Sequence, residues 1–578
     1  MKAHVNGILW LAMTLAFAGT FPAFGQNPPA FNCATTAVPP LLRAEGLTEQ
    51  VGDIVLKCTG GTATAVGQPI PQTNLAIFLN TNITSRILSN GGSEALVLID
   101  EPGSTTNPVQ QLCPNLTGCV VTGNGGAGEP FDGTSAARPN VFQGIPAGRS
   151  VTFIGVPIDP PGAGKIRVFR ITNIRGNVSA VATTAATVDF IPVQPVLALV
   201  SASGSTSLPI QNPQLTVGYA LTGSTFSTGS VSAVQCSKLT NTVHYSNLSF
   251  VEGFSTAFKT RTIAGADPGG TGAQNIPGAI YNTESGFILP SLPGTGLASA
   301  GTRFRAVMRN IPPGVNVWVS TYNILSSAST AAQLTNSETG PYYPVTATTT
   351  LLGTNVAQLQ VVNGTATAVW EVTAADPLAT ETFSFSFFFD SSKGLDFGTP
   401  PVTVNGTLAP APPAFAIGDG VLAQSSLFPI PRFVDTSTAL SILTFTACRT
   451  NLLFPFVTSE ASFDTGISIA NTSADPYGTS GQTGTCTLNA YGDTPSVFTT
   501  PPIVPGKTYA LLSSTTFPGF QGYIIAVCNF QFAHAFAFVS DLGTHDVAMS
   551  YLALVLPEPA RTIAPAATLP GAGEILEP

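Results

Sequence analysis

Thr382-Phe383-Ser384-Phe385-Ser386-Phe387-Phe388-Phe389 decides the fold class. Phenylalanine occupies every odd position from 383 to 389, and Thr382, Ser384, Ser386 and Phe388 take the even ones. Successive side chains of a strand point to opposite faces, so this period of two predicts a strand with one face in a core. Val315, Val317 and Val319 alternate in the same way with Asn316, Trp318 and Ser320, and Ile467 and Ile469 with Ser468 and Ala470. Trp370 keeps step with Ala368 and Val372 and reads as core. Val361-Val362-Asn363-Gly364-Thr365 and Val402-Thr403-Val404-Asn405-Gly406-Thr407-Leu408 each hold an Asn-Gly pair. Both central residues of a tight hairpin turn need positive φ, which Asn and Gly tolerate, so two hairpins are predicted.

Composition carries this outward to the whole chain. Its 578 residues include 57 Gly and 48 Pro, which break helices and make turns. Charged residues amount to 9%, against about a quarter in an ordinary soluble domain. The 44% hydrophobic content supplies enough apolar surface to offset chain entropy, which excludes general disorder. With 21 basic against 30 acidic residues there is no cationic face for phosphates, so no nucleic-acid partner is expected.

Lys2, the apolar run Ile8 to Phe21 and the small residues around Ala23-Phe24-Gly25 predict a cleaved secretory signal peptide over 1–25. The apolar run, about 14 residues, falls short of the roughly 20 that span a bilayer, so no membrane span is expected in the mature chain. The expected fold is all-β, with several Ig-like or β-sandwich domains in series after the signal peptide. The expected units are a sandwich at 30–195, a second at 196–330, an Ig-like third at 331–412 and a fourth sandwich at 425–557. Ala409-Pro410-Ala411-Pro412-Pro413 reads as a stiff spacer, and 558–578 as a disordered tail.

All eight cysteines lie beyond the signal segment, and an even number in an exported chain favours disulfides. Proximity suggests Cys33–Cys58 and Cys113–Cys119, with Cys486–Cys528 as a bridge between strands. Cys236 and Cys448 are left as an inter-domain bridge or two free thiols. No CxxC pair or nearby His gives the ligand spacing of a zinc site.

Three stretches resemble a group of secreted proteins of soil bacteria. They are Leu42-Arg43-Ala44-Glu45-Gly46-Leu47-Thr48-Glu49 with Gly52-Asp53 and Cys58, then Glu252-Gly253-Phe254-Ser255-Thr256-Ala257-Phe258-Lys259, and Leu453-Phe454-Pro455-Phe456-Val457 followed by 463–473. The resemblance touches every expected unit but the third. It implies export and β architecture and carries no catalytic residue across.

Motifs with a chemical reading fail on their partners. Asp132-Gly133-Thr134-Ser135 resembles the serine motif of subtilisin-like proteases, but the only His before it, His4, lies in the signal segment. Asp464-Thr465-Gly466 resembles an aspartic-protease loop, whose chemistry needs two carboxylates sharing a proton; the chain has no second such triplet. His534 and His545, near Asp541 and Asp546, suggest a metal pair, but His534 shares parity with Phe532, Phe536 and Phe538 and reads as core-facing or as an edge His satisfied by backbone. Tyr342-Tyr343, between Pro341 and Pro344, is the candidate ligand platform.

The reading is a non-enzymatic, exported structural, adhesive or surface-display protein, secreted, cell-surface or periplasmic, without cofactor, metal or catalytic residues. Its expected partners are other copies through edge strands, or extracellular glycan or protein. The alternative is a carbohydrate-binding or carbohydrate-active protein.

Overall fold

The computed structural model describes residues 30–556 apart from 102–109, 124–137, 182–192, 205–207, 236, 263–277, 393, 395–399, 416–427, 447, 478, 480, 542 and 544–545. The expected signal peptide and tail lie outside these residues. The protein is nearly all β, as the period of two predicts. Its larger sheets fall into three packed pairs, each enclosing its own core.

The first pair covers residues 32–221. One six-stranded sheet centres on Ile54–Gly60 and Gly162–Thr172, the other on Gln72–Leu79 and Gln194–Gly204. Gln194–Gly204 bonds both Gln72–Leu79 and Gln214–Leu221. The first sandwich therefore runs on to Leu221 instead of ending at 195. Pro195 sits within that strand opposite Tyr219, so a Pro-rich composition marked a strand entry and not a boundary.

The second pair merges the units expected at 196–330 and 331–412. One sheet runs in the order Ser224–Thr228, Tyr245–Glu252, Thr382–Ser391, Val315–Ser320, Thr354–Gln358 and Thr349–Leu351. The other places Arg303–Arg309 between Val402–Ala409 and Ala366–Ala374. Strands from both expected units alternate in both sheets, because hydrogen bonding joins whichever edges can bury their faces together. Leu440–Thr446, expected in the fourth unit, pairs with Val402–Ala409, so the last sandwich starts at Thr450. Ala409–Pro413 is no spacer: Ala411 is fully buried, Phe433 N–H donates to the Pro410 carbonyl at 2.9 Å, and Arg305 donates to the Ala411 carbonyl at 3.2 Å.

The core of this second sandwich is aromatic. Phe383, Phe385, Phe387 and Phe389 are all fully buried, and the Trp370 ring stacks on Phe385 with centroids 4.1 Å apart. The Trp370 Nε1–H donates to the Ser320 carbonyl at 2.8 Å, so its polar handle is satisfied inside. Asn363 and Gly364 make the predicted turn with φ of 49° and 69°. Asn405-Gly406 does not. It lies inside the strand Val402–Ala409, opposite Val307 and Ala306.

The third pair sets Ser496–Thr499, Cys486–Gly492, Gln521–Cys528, Thr450–Thr458 and Leu554–Leu556 against the four strands Thr508–Leu512, Asp464–Asn471, Ala533–Ser540 and Ala548–Leu552. Cys33–Cys58, Cys113–Cys119 and Cys486–Cys528 are bonded as proximity suggested. Cys448 is also in a disulfide, which excludes its free-thiol reading; Cys236 lies outside the described residues.

Candidate functional site

Acidic groups converge in one part of the molecule, between the first sandwich and the segment of the second that connects Tyr245–Glu252 to Arg303–Arg309. Arg43 donates to Glu49 Oε1 at 2.7 Å, to Glu284 Oε1 at 2.8 Å, to Thr302 Oγ1 at 3.0 Å and to the Ala257 carbonyl at 3.0 Å. Arg170 binds Asp53 at 2.7 Å, Glu101 at 2.9 Å and the Tyr281 hydroxyl at 2.8 Å. Arg175 reaches Glu94 at 3.2 Å and the Glu284 carbonyl at 2.7 Å. Burial opposes the charge on both Arg43 and Glu284, but their mutual attraction outweighs it, raising the first pKa and lowering the second. Burial lowers the neighbouring Lys259. These carboxylates are bound to guanidinium groups, an arrangement that locks segments together.

The Asp464 carboxylate is likewise an anchor. It accepts from Ser513 Oγ at 2.7 Å, Ser514 N–H at 2.9 Å, Ser514 Oγ at 2.5 Å and Thr465 N–H at 2.8 Å. Burial would raise its pKa, but these donors outweigh it and hold the carboxyl below its usual range. The result fixes the single helical turn Ser513–Thr516 at the end of Thr508–Leu512.

That turn forms one rim of an open groove of about 520 Å³ on the outer face of the last sandwich. Gly466 and Ser468 of the central strand Asp464–Asn471 make the floor. Leu512 with Thr515 and Thr516 lines one side, and Phe536 with Phe538 the other. The register sets this shape: Gly466 lies between Leu512 and Phe538, and Ser468 between Ala510 and Phe536. Small residues on the middle strand leave a trough between larger neighbours.

The strand Ala533–Ser540 excludes the core-facing alternative for His534. In Ala533–Ser540 the alanines face inward and His534, Phe536 and Phe538 face solvent; both phenylalanines are 46% exposed. The reason is volume. Phe454, Phe520, Phe530 and Ile524 already fill the core, so only methyl groups fit opposite them. His534 is exposed and its Nδ1 shares a hydrogen bond with Thr472 Oγ1 at 3.0 Å.

Tyr342 and Tyr343 differ in their surroundings. The Tyr342 hydroxyl folds back to donate to Gln333 Oε1, while Tyr343 is 58% exposed. Ser135 and His545 lie outside the described residues. Among the described residues no three His, Cys, Asp or Glu side chains are grouped to hold a metal ion, and no helix is long and apolar enough to cross a membrane.

No family model matches the chain. No curated protein matches it either. Among solved structures it is similar to two of BcpA, the major pilin subunit of Bacillus cereus. The identities are 8% and 9%, over 92% and 84% of this chain and 97% and 96% of those, each with a TM-score of 0.19. It is also similar to the BSP domain of a biofilm associated protein, at 8% identity over 91% of this chain and 96% of that one, with a TM-score of 0.16. Likeness of this size carries no argument about activity.

Proposed function

We propose that the chain is an exported, non-enzymatic structural, adhesive or surface-display protein that meets its partner through the outer face of its last sandwich. The observation that carries this reading is the orientation of Ala533–Ser540, which sets Phe536 and Phe538 in water beside Leu512, itself 52% exposed. Exposed apolar side chains that line one groove are the mark of a contact surface. The buried arginine joint and the cross-strand disulfides support a rigid carrier for that surface. Charge density is low, so contact formation depends on apolar area and hydroxyl hydrogen bonds, with modest salt sensitivity.

The test is binding of the labelled mature chain to whole cells of a producing culture, with Phe536→Ser/Phe538→Ser as the variant. Both residues point outward, so the variant keeps its fold by circular dichroism and loses binding. Undiminished binding, or a steep fall with added salt, overturns the reading. Self-association through the edge strand Ala548–Leu552, which carries no charged residue, adds a second partner class. A sedimentation profile that stays monomeric at high concentration removes it.

A further inference from the structure

The outer face of the second sandwich carries a row of aromatic rings. Register places Tyr245 opposite Phe388, Phe388 opposite Trp318, and Trp318 opposite Gln358, so one line crosses four neighbouring strands. Tyr245 is 43% exposed and stacks on Phe388 with centroids 5.6 Å apart. Phe388 is only 1% exposed, and Trp318 is half-buried. The strands that carry the two outer rings therefore stand two strand spacings apart, about 9.6 Å.

A polar ladder fixes one end of the row. Trp318 Nε1–H donates to Asp390 Oδ2 at 2.5 Å, which sets the plane of the indole. Asn316 Nδ2 donates to Asp390 Oδ1 at 2.7 Å, and Gln358 Nε2 to Asn316 Oδ1 at 3.1 Å. On the other side Ser386 donates to Asn247 Oδ1 at 3.0 Å, and Ser249 and Ser384 share a bond of 2.8 Å. Charge on this outward face comes from Asp390 alone among the residues of the row and its ladder, and two N–H donors engage it.

We infer that this face is a binding site for a neutral, β-1,4-linked polysaccharide, held by ring faces of Tyr245 and Trp318 and by the amides of Asn316 and Gln358. A pyranose ring presents C–H groups on its faces and hydroxyls at its rim. Aromatic faces flanked by donors and acceptors match both. The near-neutral surface fits an uncharged ligand and disfavours a strongly charged one. The spacing of the two strands that carry the outer rings is comparable with a disaccharide repeat of an extended glycan. The site lies on a different sandwich from the groove and stands without it.

The experiment titrates the mature full chain with cellohexaose and chitohexaose, reads tryptophan fluorescence, and adds a depletion assay on insoluble cellulose. At least one probe binds and shifts the Trp318 emission, since Trp370 is buried. Tyr245→Ala and Trp318→Ala each weaken binding by about tenfold, the loss of one good contact. Trp318→Phe, which keeps a ring but drops the donor to Asp390, falls between. Gln358→Ala and Tyr245→Ser sit at exposed positions and serve where Trp318→Ala disturbs folding. No binding of any probe by the wild-type chain, or wild-type affinity in the Tyr245→Ala/Trp318→Ala double variant, overturns the inference. Phe536→Ser/Phe538→Ser leaves glycan binding unchanged, so failure of the groove and failure of this row are told apart.

Discussion

Phe226 lies over Gly406 so closely that a β-carbon at 406 would sit 2.3 Å from its ring. The Asn-Gly pair that reads as a hairpin is therefore an opening in a strand, made for an aromatic side chain crossing from the facing sheet. The Phe226 ring continues the buried stack by meeting Phe250 at 4.9 Å.

Gly406→Ala forces that ring aside and lowers stability by about 1–3 kcal/mol, the usual range for overpacking. Denaturant unfolding measures the loss. Phe226→Leu in the same chain recovers part of it, because neighbouring substitutions are not additive. Equal losses with and without Phe226→Leu would show that the close approach is not the cause.

Glu284→Leu leaves Arg43 with one carboxylate in a buried site, and costs about 3–5 kcal/mol as broken buried pairs do. Urea unfolding reads the loss, and limited proteolysis shows cleavage rising within 254–302. A change below 1 kcal/mol in that assay, on the scale of about 0–1 for exposed pairs, would mean that the joint is not holding the segments together.

Glu252 gives the molecule a pH dependence. Its carboxyl is 4% exposed and is pushed up to about 7 by burial and by the neighbouring Glu381 carboxylate, against N–H donors from Phe258 and Glu381. The folded chain therefore holds this proton more tightly than the unfolded one. The stability it brings is full below the ordinary value of 4.5 and is lost as pH rises through about 7. The melting temperature falls across that window, and Glu252→Gln flattens the fall; an unchanged slope assigns it to other groups.

Asp464→Asn removes a carboxylate whose pKa is depressed, so the wild-type advantage is present at neutral pH and fades as pH falls through the folded value. The variant melts lower at pH 7 and converges with wild type in acid. Casein is untouched by both, and cleavage lost on this substitution would establish a protease instead.

Cys486 and Cys528 face each other directly across adjacent strands and are 42 positions apart in sequence. Replacing both with Ala returns that loop's entropy to the unfolded chain and costs about 4 kcal/mol. Calorimetry with and without reductant gives the number, and a Tm that does not move would place the constraint elsewhere.

Alternation in 382–389 and 315–320, local cysteine spacing and sparse charge were enough to establish an all-β chain, three of its disulfides and a Trp370 core position. They rest on one strand's own period or on cysteine pairs no more than 42 positions apart. Sheet membership was not legible, because Thr382–Ser391 pairs with Tyr245–Glu252, more than 130 residues before it, and with Val315–Ser320, and no local pattern encodes a partner at that distance. The orientation of Ala533–Ser540 was hidden for a different reason. A period of two separates two faces without ranking them, and the volume left by Phe454 and Phe520 across the core decided that alanine went in and phenylalanine went out. Both candidate surfaces follow from that kind of decision: register and packing, settled in three dimensions, put the rings where a ligand can reach them.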